Sequence, residues 1–422
     1  MNFRGIPDAE RDPHPRLTWL VEMGFVAGVA LGYRKQEIWS ADSRLAPGTL
    51  VVSNHQRDAD VPIAGTTLCR RRGWRFEWPL PFFAAREDLF RSGFLADYLD
   101  GWPGLGALAG LVRLRWLFEV ARAYPVRRVR EFSLAETLDA LCAAGLADAA
   151  LAQVFNARGQ RELKQMLGRL PARVAELPRP RLRCVTRWGL RRLQLKALRR
   201  IALGFRENVR LQLERQVGFL DAGRVVYWAP EGLISPTGHF GRVRLGVRWI
   251  YRHAARPPAI LPVALSYDAL TPGRCRVLVH IGRLTPGLDA SGQAAFAAEV
   301  RRLIQDLYML NPSHLLARFL LAGPTRFTGA EFCAWAQCSL RLLAPHAAAL
   351  DPLLRTASAG ALWSRRLHWL AARRVLVRDR AGWRNLVDRS AAPGWQAPAN
   401  IVRYLDNALA DNAPAVARVL QP

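Results

Sequence analysis

The chain contains no charge-free apolar run approaching the roughly 18 to 20 residues that span a bilayer. Its best stretch, Met23 to Tyr33, is bounded by Glu22 and Arg34, so it could lie in a membrane surface but not cross one. The opening residues carry Asp8, Glu10 and Asp12 among several prolines, which is not the pattern of a secretory signal. Lysine is nearly missing: three of the 61 basic residues are lysine and the rest arginine. Acidic residues number only 34, which leaves a net charge of +27. That excess suits nucleic acid, an anionic surface or an acidic carrier, and the arginine bias also fits a GC-rich coding background. The six cysteines, at 69, 142, 184, 275, 333 and 338, lack Cys-x2-Cys spacing. We read them as reduced core residues of a cytosolic protein, with neither a metal site nor a disulfide framework. There is no internal repeat. Hydrophobic residues make up 50% of the chain, too many for disorder, and 422 residues can bury a substantial core.

Against these absences stands one organised stretch, Thr49-Leu-Val-Val-Ser-Asn-His-Gln-Arg-Asp-Ala-Asp-Val-Pro62. The apolar run Leu50 to Val52 predicts a buried strand that ends at Ser53-Asn54-His55. Asp58-Ala59-Asp60 suits a helix N-terminus, where side-chain oxygens accept backbone N–H groups. Asp60 follows His55 with four residues between them, close enough for one turn of chain to fold the carboxylate onto the imidazole. A carboxylate on one ring nitrogen fixes the tautomer and leaves the other nitrogen free to take a proton. Two later stretches repeat the strand-then-turn pattern. Val225-Val-Tyr-Trp-Ala ends in Pro230-Glu231-Gly232, and Ala259-Ile-Leu-Pro-Val-Ala-Leu-Ser-Tyr predicts another buried strand.

In that order the blocks resemble the glycerolipid acyltransferase superfamily, the lysophosphatidic acid and glycerol-3-phosphate acyltransferases. Asn54, His55 and Asp60 match its Asn-His-x4-Asp block, Ala123 to Arg128 its strand-and-arginine block, Pro230-Glu231-Gly232 its Pro-Glu-Gly block, and Leu261-Pro262-Val263 its Pro-Val strand. The segment Pro81 to Phe90 is similar to the family's connecting segment. The resemblance covers about residues 45 to 285. It implies an α/β fold, a central mixed sheet flanked by helices, to which the residues themselves add a helical insertion and, beyond Pro286, a helical C-terminal region rich in Ala, Leu and Arg. It also implies His55 and Asp60 as the catalytic pair, and Arg128, Glu231, Gly232 and Ser235 on the acceptor side. The chain departs from the family pattern twice. Leu233 and Ile234 stand where the family usually places an arginine, although Ser235 and Thr237-Gly238 look like the glycerol-3-phosphate version. The path from Arg128 to Glu231 is also long, which implies an insertion.

The chain then divides into a leader and possible membrane-surface helix (1–44), an acyltransferase domain (45–285) and a helical C-terminal region of unknown role (286–422). Residues 16–33 are expected to be helical, Asp60 to Arg70 helical with Arg70-Arg-Arg-Gly73 as its C-terminal cap, and Glu77 to Ala84 a strand. Residues 88–118, rich in Leu, Phe, Trp and Gly, are the candidate wall for an acyl chain. The insertion, about 129–206, reads as helical and polar. Between Arg179 and Arg215 there are twelve basic residues and two acidic ones, with Leu195, Leu198, Ala202, Phe205 and Val209 as one apolar stripe. Such a basic amphipathic helix suits an anionic membrane. Thr328-Gly-Ala-Glu331 predicts a capping box, and residues 300–422 show no chemical motif.

The resemblance implies acyl transfer from acyl-CoA or acyl carrier protein to a hydroxyl of a glycerophosphate or lysophospholipid. No cofactor or metal is expected beyond that co-substrate, and the protein is expected in the cytoplasm, peripheral at the inner face of the membrane. Two other readings stay open. One is an inactive acyltransferase-like membrane scaffold. The other is a basic nucleic-acid-binding protein, against which stands the lack of any zinc-finger, helix-turn-helix or RNA-recognition signature, so no nucleic acid is expected.

Overall fold

A computed structural model describes residues 15–41, 43–72, 75–78, 80–86, 115–126, 134–178, 190–288, 291–356, 359–388, 390, 392–395 and 398–420. The expectations placed on Arg128 and on residues 1–14, 87–114 and 179–189 fall outside these. The chain divides into two compact units: Met1–Phe83, Leu117–Ala123 and Gln216–Pro422 in the first, Ala84–Trp116 and Tyr124–Arg215 in the second.

The strands are β1 (Tyr33–Trp39), β2 (Leu50–Ser53), β3 (Arg70–Arg72), β4 (Arg75–Trp78), β5 (Phe82–Arg86), β6 (Ala123–Val126), β7 (Val226–Trp228), β8 (Ile260–Asp268) and β9 (Cys275–Ile281). A seven-stranded sheet runs in the order β1-β9-β8-β2-β7-β5-β6, so the fold is mixed α/β with helices about a central sheet. β2 lies parallel to β8 on one side and to β7 on the other, and β9 turns antiparallel to β8. Strands covered on both faces need continuous apolar sequence rather than alternation. Leu50-Val51-Val52 and the whole of β8 are buried in this way. Each such Leu, Ile or Val contributes about 1.5–3 kcal/mol by leaving water. Pro262 is tolerated inside β8 because the antiparallel ladder to β9 begins one residue later, at Val263. With Val52 opposite Trp228 in a parallel pair, the chain leaves β2 and β7 at the same edge of the sheet. Clefts of α/β proteins form at that edge, beyond the strands' carboxyl ends.

Several local expectations need correction. The helix after Asp60 ends at Leu68, because Cys69 is already extended (φ −72°, ψ 112°), and Arg70–Arg72 pairs antiparallel with β4. Glu77 to Ala84 is not one strand. β4 belongs to that small hairpin and β5 to the large sheet, and Pro79 and Pro81 between them cannot donate to a ladder. The C-terminal region is mostly helical but also holds a three-stranded sheet, with β10 (Arg326–Phe327), β11 (Leu376–Asp379) and β12 (Gly382–Asn385) in the order β10-β12-β11. The Thr328 capping box is present: Thr328 Oγ1 accepts from Glu331 N at 3.1 Å, and Glu331 Oε2 accepts from Thr328 N at 2.6 Å. The described cysteines are half-buried or, at Cys338, exposed, rather than fully buried core residues.

In the second unit the segment read as an insertion is mostly helical over its described residues but not polar throughout. It has its own core of Leu134, Leu138, Leu141, Val154, Phe155 and Leu163 among others. The 195–221 helix contributes Ala197 and Ile201 to it, while Leu195, expected on the apolar stripe, is 60% exposed. The buried face is thus rotated to Ala197 and Ile201, with Leu198 at its margin.

Candidate functional site

Two turns, one after β2 and one after β7, build the site, and both lie in the first unit. The His55 Nδ1 and Asp60 Oδ2 atoms are 3.0 Å apart, and the Asp60 side chain is fully buried while that of His55 is 13% exposed. Ala59, not an acidic residue, is the helix N-cap, and it makes no side-chain cap bond. Asp60 instead turns its carboxylate back onto the preceding loop. Its Oδ2 accepts from Gln56 N at 2.5 Å and Arg57 N at 2.8 Å, and its Oδ1 accepts from the Tyr267 hydroxyl. Burial and the nearby Asp60 keep the Tyr267 phenol protonated, well above its ordinary range. Four donors therefore converge on one carboxylate: a phenol, two amides and the His55 imidazole. Nothing among the described residues bonds His55 Nε2.

The second turn holds the histidine's backbone. Glu231 Oε1 accepts from His55 N at 2.8 Å, and His55 O accepts from Ser235 N at 3.0 Å. The other Glu231 oxygen accepts from Gly241 N at 2.5 Å. A Cβ on Gly241 would stand 2.9 Å from that oxygen, so a larger residue there would displace the Glu231 carboxylate from this position. Gly232 makes the turn with φ 65°, a left-handed conformation costly for other residues. Glu231 is 3% exposed, and burial pushes its carboxyl up to about 7 against the two amides that favour the anion. The carboxylate expected on the acceptor side is thus engaged inside the protein. Ser235 Oγ differs: it is buried and bonds nothing among the described residues. Asn54 serves the sheet, since its side chain accepts from Leu265 N at 2.8 Å and donates to Leu265 O at 2.9 Å.

Sequence reasoning missed the residues supplied from far down the chain. Tyr267 Oη reaches Asp60 from β8. Gln56 Nε2 donates to Tyr308 Oη at 3.2 Å, and Tyr308 Oη lies 3.1 Å from His314 Nε2. Arg57 places its guanidinium 4.1 Å from the centroid of the Trp395 ring, with Tyr33 and Tyr267 at 5.7 and 5.6 Å. Only Tyr267 adjoined an expected block; no spacing or motif singles out Tyr308, His314 or Trp395.

Among the described residues no group of three or more His, Cys, Asp or Glu is placed to hold a metal ion, and no helix is long and apolar enough to cross a membrane. No known family matches the chain, and no curated protein does. Among solved structures, the 1-acyl-sn-glycerophosphate (LPA) acyltransferase PlsC from Thermotoga maritima is similar, at 12% identity and a TM-score of 0.32, over 68% of this chain and 77% of that one. A likeness of that size decides nothing about function.

Proposed function

We propose that the protein is an O-acyltransferase that moves a fatty acyl group from acyl-CoA or acyl carrier protein to a hydroxyl of a glycerophosphate or lysophospholipid. The observation that carries this reading is the His55–Asp60 pair, with Nδ1 held against a buried carboxylate while Nε2 of the partly exposed ring meets no partner among the described residues. A histidine so held can act as a general base. Nε2 takes the proton of the acceptor hydroxyl as its oxygen forms a bond to the thioester carbon. The carbon–sulfur bond then breaks, and the imidazolium returns the proton to the departing thiolate. Asp60 stabilises the imidazolium in between. No covalent enzyme intermediate is required, and neither a metal nor a cofactor has a step to perform.

In this reading Glu231 and Gly232 position the His55 backbone and Ser235 faces the acceptor; Arg128, outside the described residues, is assigned to the acceptor's phosphate by the family resemblance and the chemistry of a guanidinium. The enzyme works in the cytoplasm at the inner face of the membrane, held partly by the basic 195–221 helix. The motif order at residues 54–60, 230–232 and 261–263 supports the reading alongside the geometry. The test is His55→Ala, which should lower acyl transfer by at least roughly 10²-fold without loss of folding. Transfer would be followed as thiol release from palmitoyl-CoA in the presence of a lysophosphatidate acceptor. Near-normal turnover in a folded His55→Ala protein would overturn the assignment.

A further inference from the structure

The C-terminal region, for which the sequence offered no role, reaches both turns of the site through one helix. Pro398–Asn412 presents Tyr404, Asn407, Ala408 and Asp411 at three- and four-residue spacing, which is one face of a helix. Tyr404 Oη donates to Gln56 O at 3.1 Å, in the loop between His55 and Asp60. Asn407 Nδ2 donates to Thr237 O at 2.9 Å, and Asp411 Oδ2 accepts from Phe240 N at 3.1 Å, both in the segment that joins Glu231 to Gly241. Between them the backbone of that segment lies directly on the helix. At Gly238, with φ 90°, a Cβ would meet Tyr404 O at 2.1 Å and Ala408 N at 3.2 Å. No side chain fits there, so Gly238 is required by the helix rather than by the turn alone.

We infer that the 398–412 helix is a positioning element of the site, fixing the His55 loop and the Glu231 turn against each other. The two turns also bond one another, through His55 N to Glu231 and Ser235 N to His55. The helix supplies an outside brace to that pair. Its own seat is firm: Val402, Leu405 and Leu409 are fully buried, and Asp406 pairs with Arg318 of the 312–322 helix at 3.0 Å. Tyr404, Asn407 and Asp411 touch none of the reacting atoms of the proposed reaction. They act through Gln56, Thr237 and Phe240 on the placement of His55, and a displacement of about 1 Å at such a group can cost 10²-fold in rate.

The inference rests on the proposed reaction for its rate readout alone, and a second readout needs no substrate. Tyr404→Phe, Asn407→Ala and Gly238→Ala would be made in the full chain. For each, thiol release from palmitoyl-CoA with lysophosphatidate would be measured beside the His55 ring resonances in a histidine-labelled ¹H–¹³C spectrum, assigned by their loss in His55→Gln. Tyr404→Phe should lower kcat roughly 10-fold with KM for both substrates unchanged, and should move the His55 ring signals while the fold remains intact. Tyr404→Trp should not rescue, because an indole cannot present a donor at the phenol's position. If Gly238→Ala fails to fold, the other two variants still decide. Unchanged kcat with unchanged His55 signals in Tyr404→Phe and Asn407→Ala would overturn the inference. If the wild-type protein releases no thiol, the proposed reaction fails, and the His55 signals still test the brace.

Discussion

The two units bury different things. In the second unit the core is a cluster of apolar side chains, and among its described residues Thr137 is the one polar side chain that is buried. Its charges lie at the surface, as in the exposed pairs Arg158–Glu162 and Arg210–Glu214. The first unit buries Asp60, Glu231, Asp268, His314, Asp351 and Arg366. A charge taken out of water is costly unless donors or an opposite charge surround it, so an apolar core is the cheaper way to stability. The second unit takes that course. The first unit keeps buried ionisable groups, and two of them, Asp60 and Glu231, grip the ring and backbone of one histidine. Charge is retained where geometry has to be fixed, and it can be tested by removing it from each unit in turn.

The largest effect is expected at Arg366, 3% exposed, whose guanidinium donates to both oxygens of Asp268 at 2.7 Å. Burial alone would raise the Asp268 carboxyl, but Arg366 and then Arg276 hold it below the ordinary range. Arg366→Met leaves that carboxylate with Arg276 and Ser313, and should cost about 3–5 kcal/mol in urea unfolding. Asp268→Asn combined with Arg366→Met should recover part of the loss. A double variant no more stable than Arg366→Met would show that packing, rather than the orphaned charge, sets the cost.

The surface charges of the 195–221 helix should matter for binding instead. Arg199, Arg200 and Arg206 are exposed and have no ion-pair partner among the described residues. Replacing all three by Gln should weaken binding to anionic vesicles by about 1 kcal/mol each, together roughly 10²-fold, with little change in unfolding. Cosedimentation across a salt series reads this, since screening shortens the reach to about 8 Å at physiological salt. A salt-independent profile for the unaltered protein would remove the electrostatic anchor.

Acid should separate two buried groups of the first unit. Burial lowers the His314 imidazole to about 3, so it is neutral in the fold. Its contribution is complete above the unfolded imidazole's value, about 6.5, and is lost as pH falls from there towards 3. Glu231, raised to about 7, runs the other way: its contribution is complete below the unfolded carboxyl's value and is lost as pH rises through 7. At pH 5 the loss through His314 amounts to roughly 2 kcal/mol. Between pH 6.5 and 4.5 the acid-side fall in stability should therefore be shallower in His314→Gln than in the wild type, and steeper in Glu231→Gln. The same slope in all three would show that neither group titrates as assigned.

Legibility followed sequence distance. Leu50 to Val52 and Ile260 to Tyr267 are readable as strands because double-sided burial leaves a nearly continuous apolar run. Juxtaposing His55 and Asp60 needs only one turn of chain, so their spacing predicts what the structure places 3.0 Å apart. Nothing local predicts that Tyr404 meets Gln56 across 348 positions, or that Tyr308 does across 252. A tyrosine on a helix is equally well read as core. The Arg70–Arg72 strand reads in sequence as a helix end because a basic run before glycine is what a C-terminal cap looks like, and pairing with β4 decides otherwise.

The smallest effect is expected at Arg210, and it sharpens the comparison most. By sequence Arg210 belongs with Arg199, Arg200 and Arg206 as one basic face. In the structure it is held by Glu207, three residues before it, and by Glu214, four after, each with an oxygen 2.5 Å away. Those two carboxylates already offset its charge towards a membrane. All three side chains are about half exposed, where ion pairs contribute little and are screened by salt. Arg210→Gln should therefore leave urea unfolding nearly unchanged. It should leave vesicle binding nearly unchanged, whereas Arg206→Gln on the same helix weakens it. An equal loss of binding in the two single variants would mean that the basic segment acts by its net charge alone, and that the pairing of Arg210 has no bearing on what the helix meets.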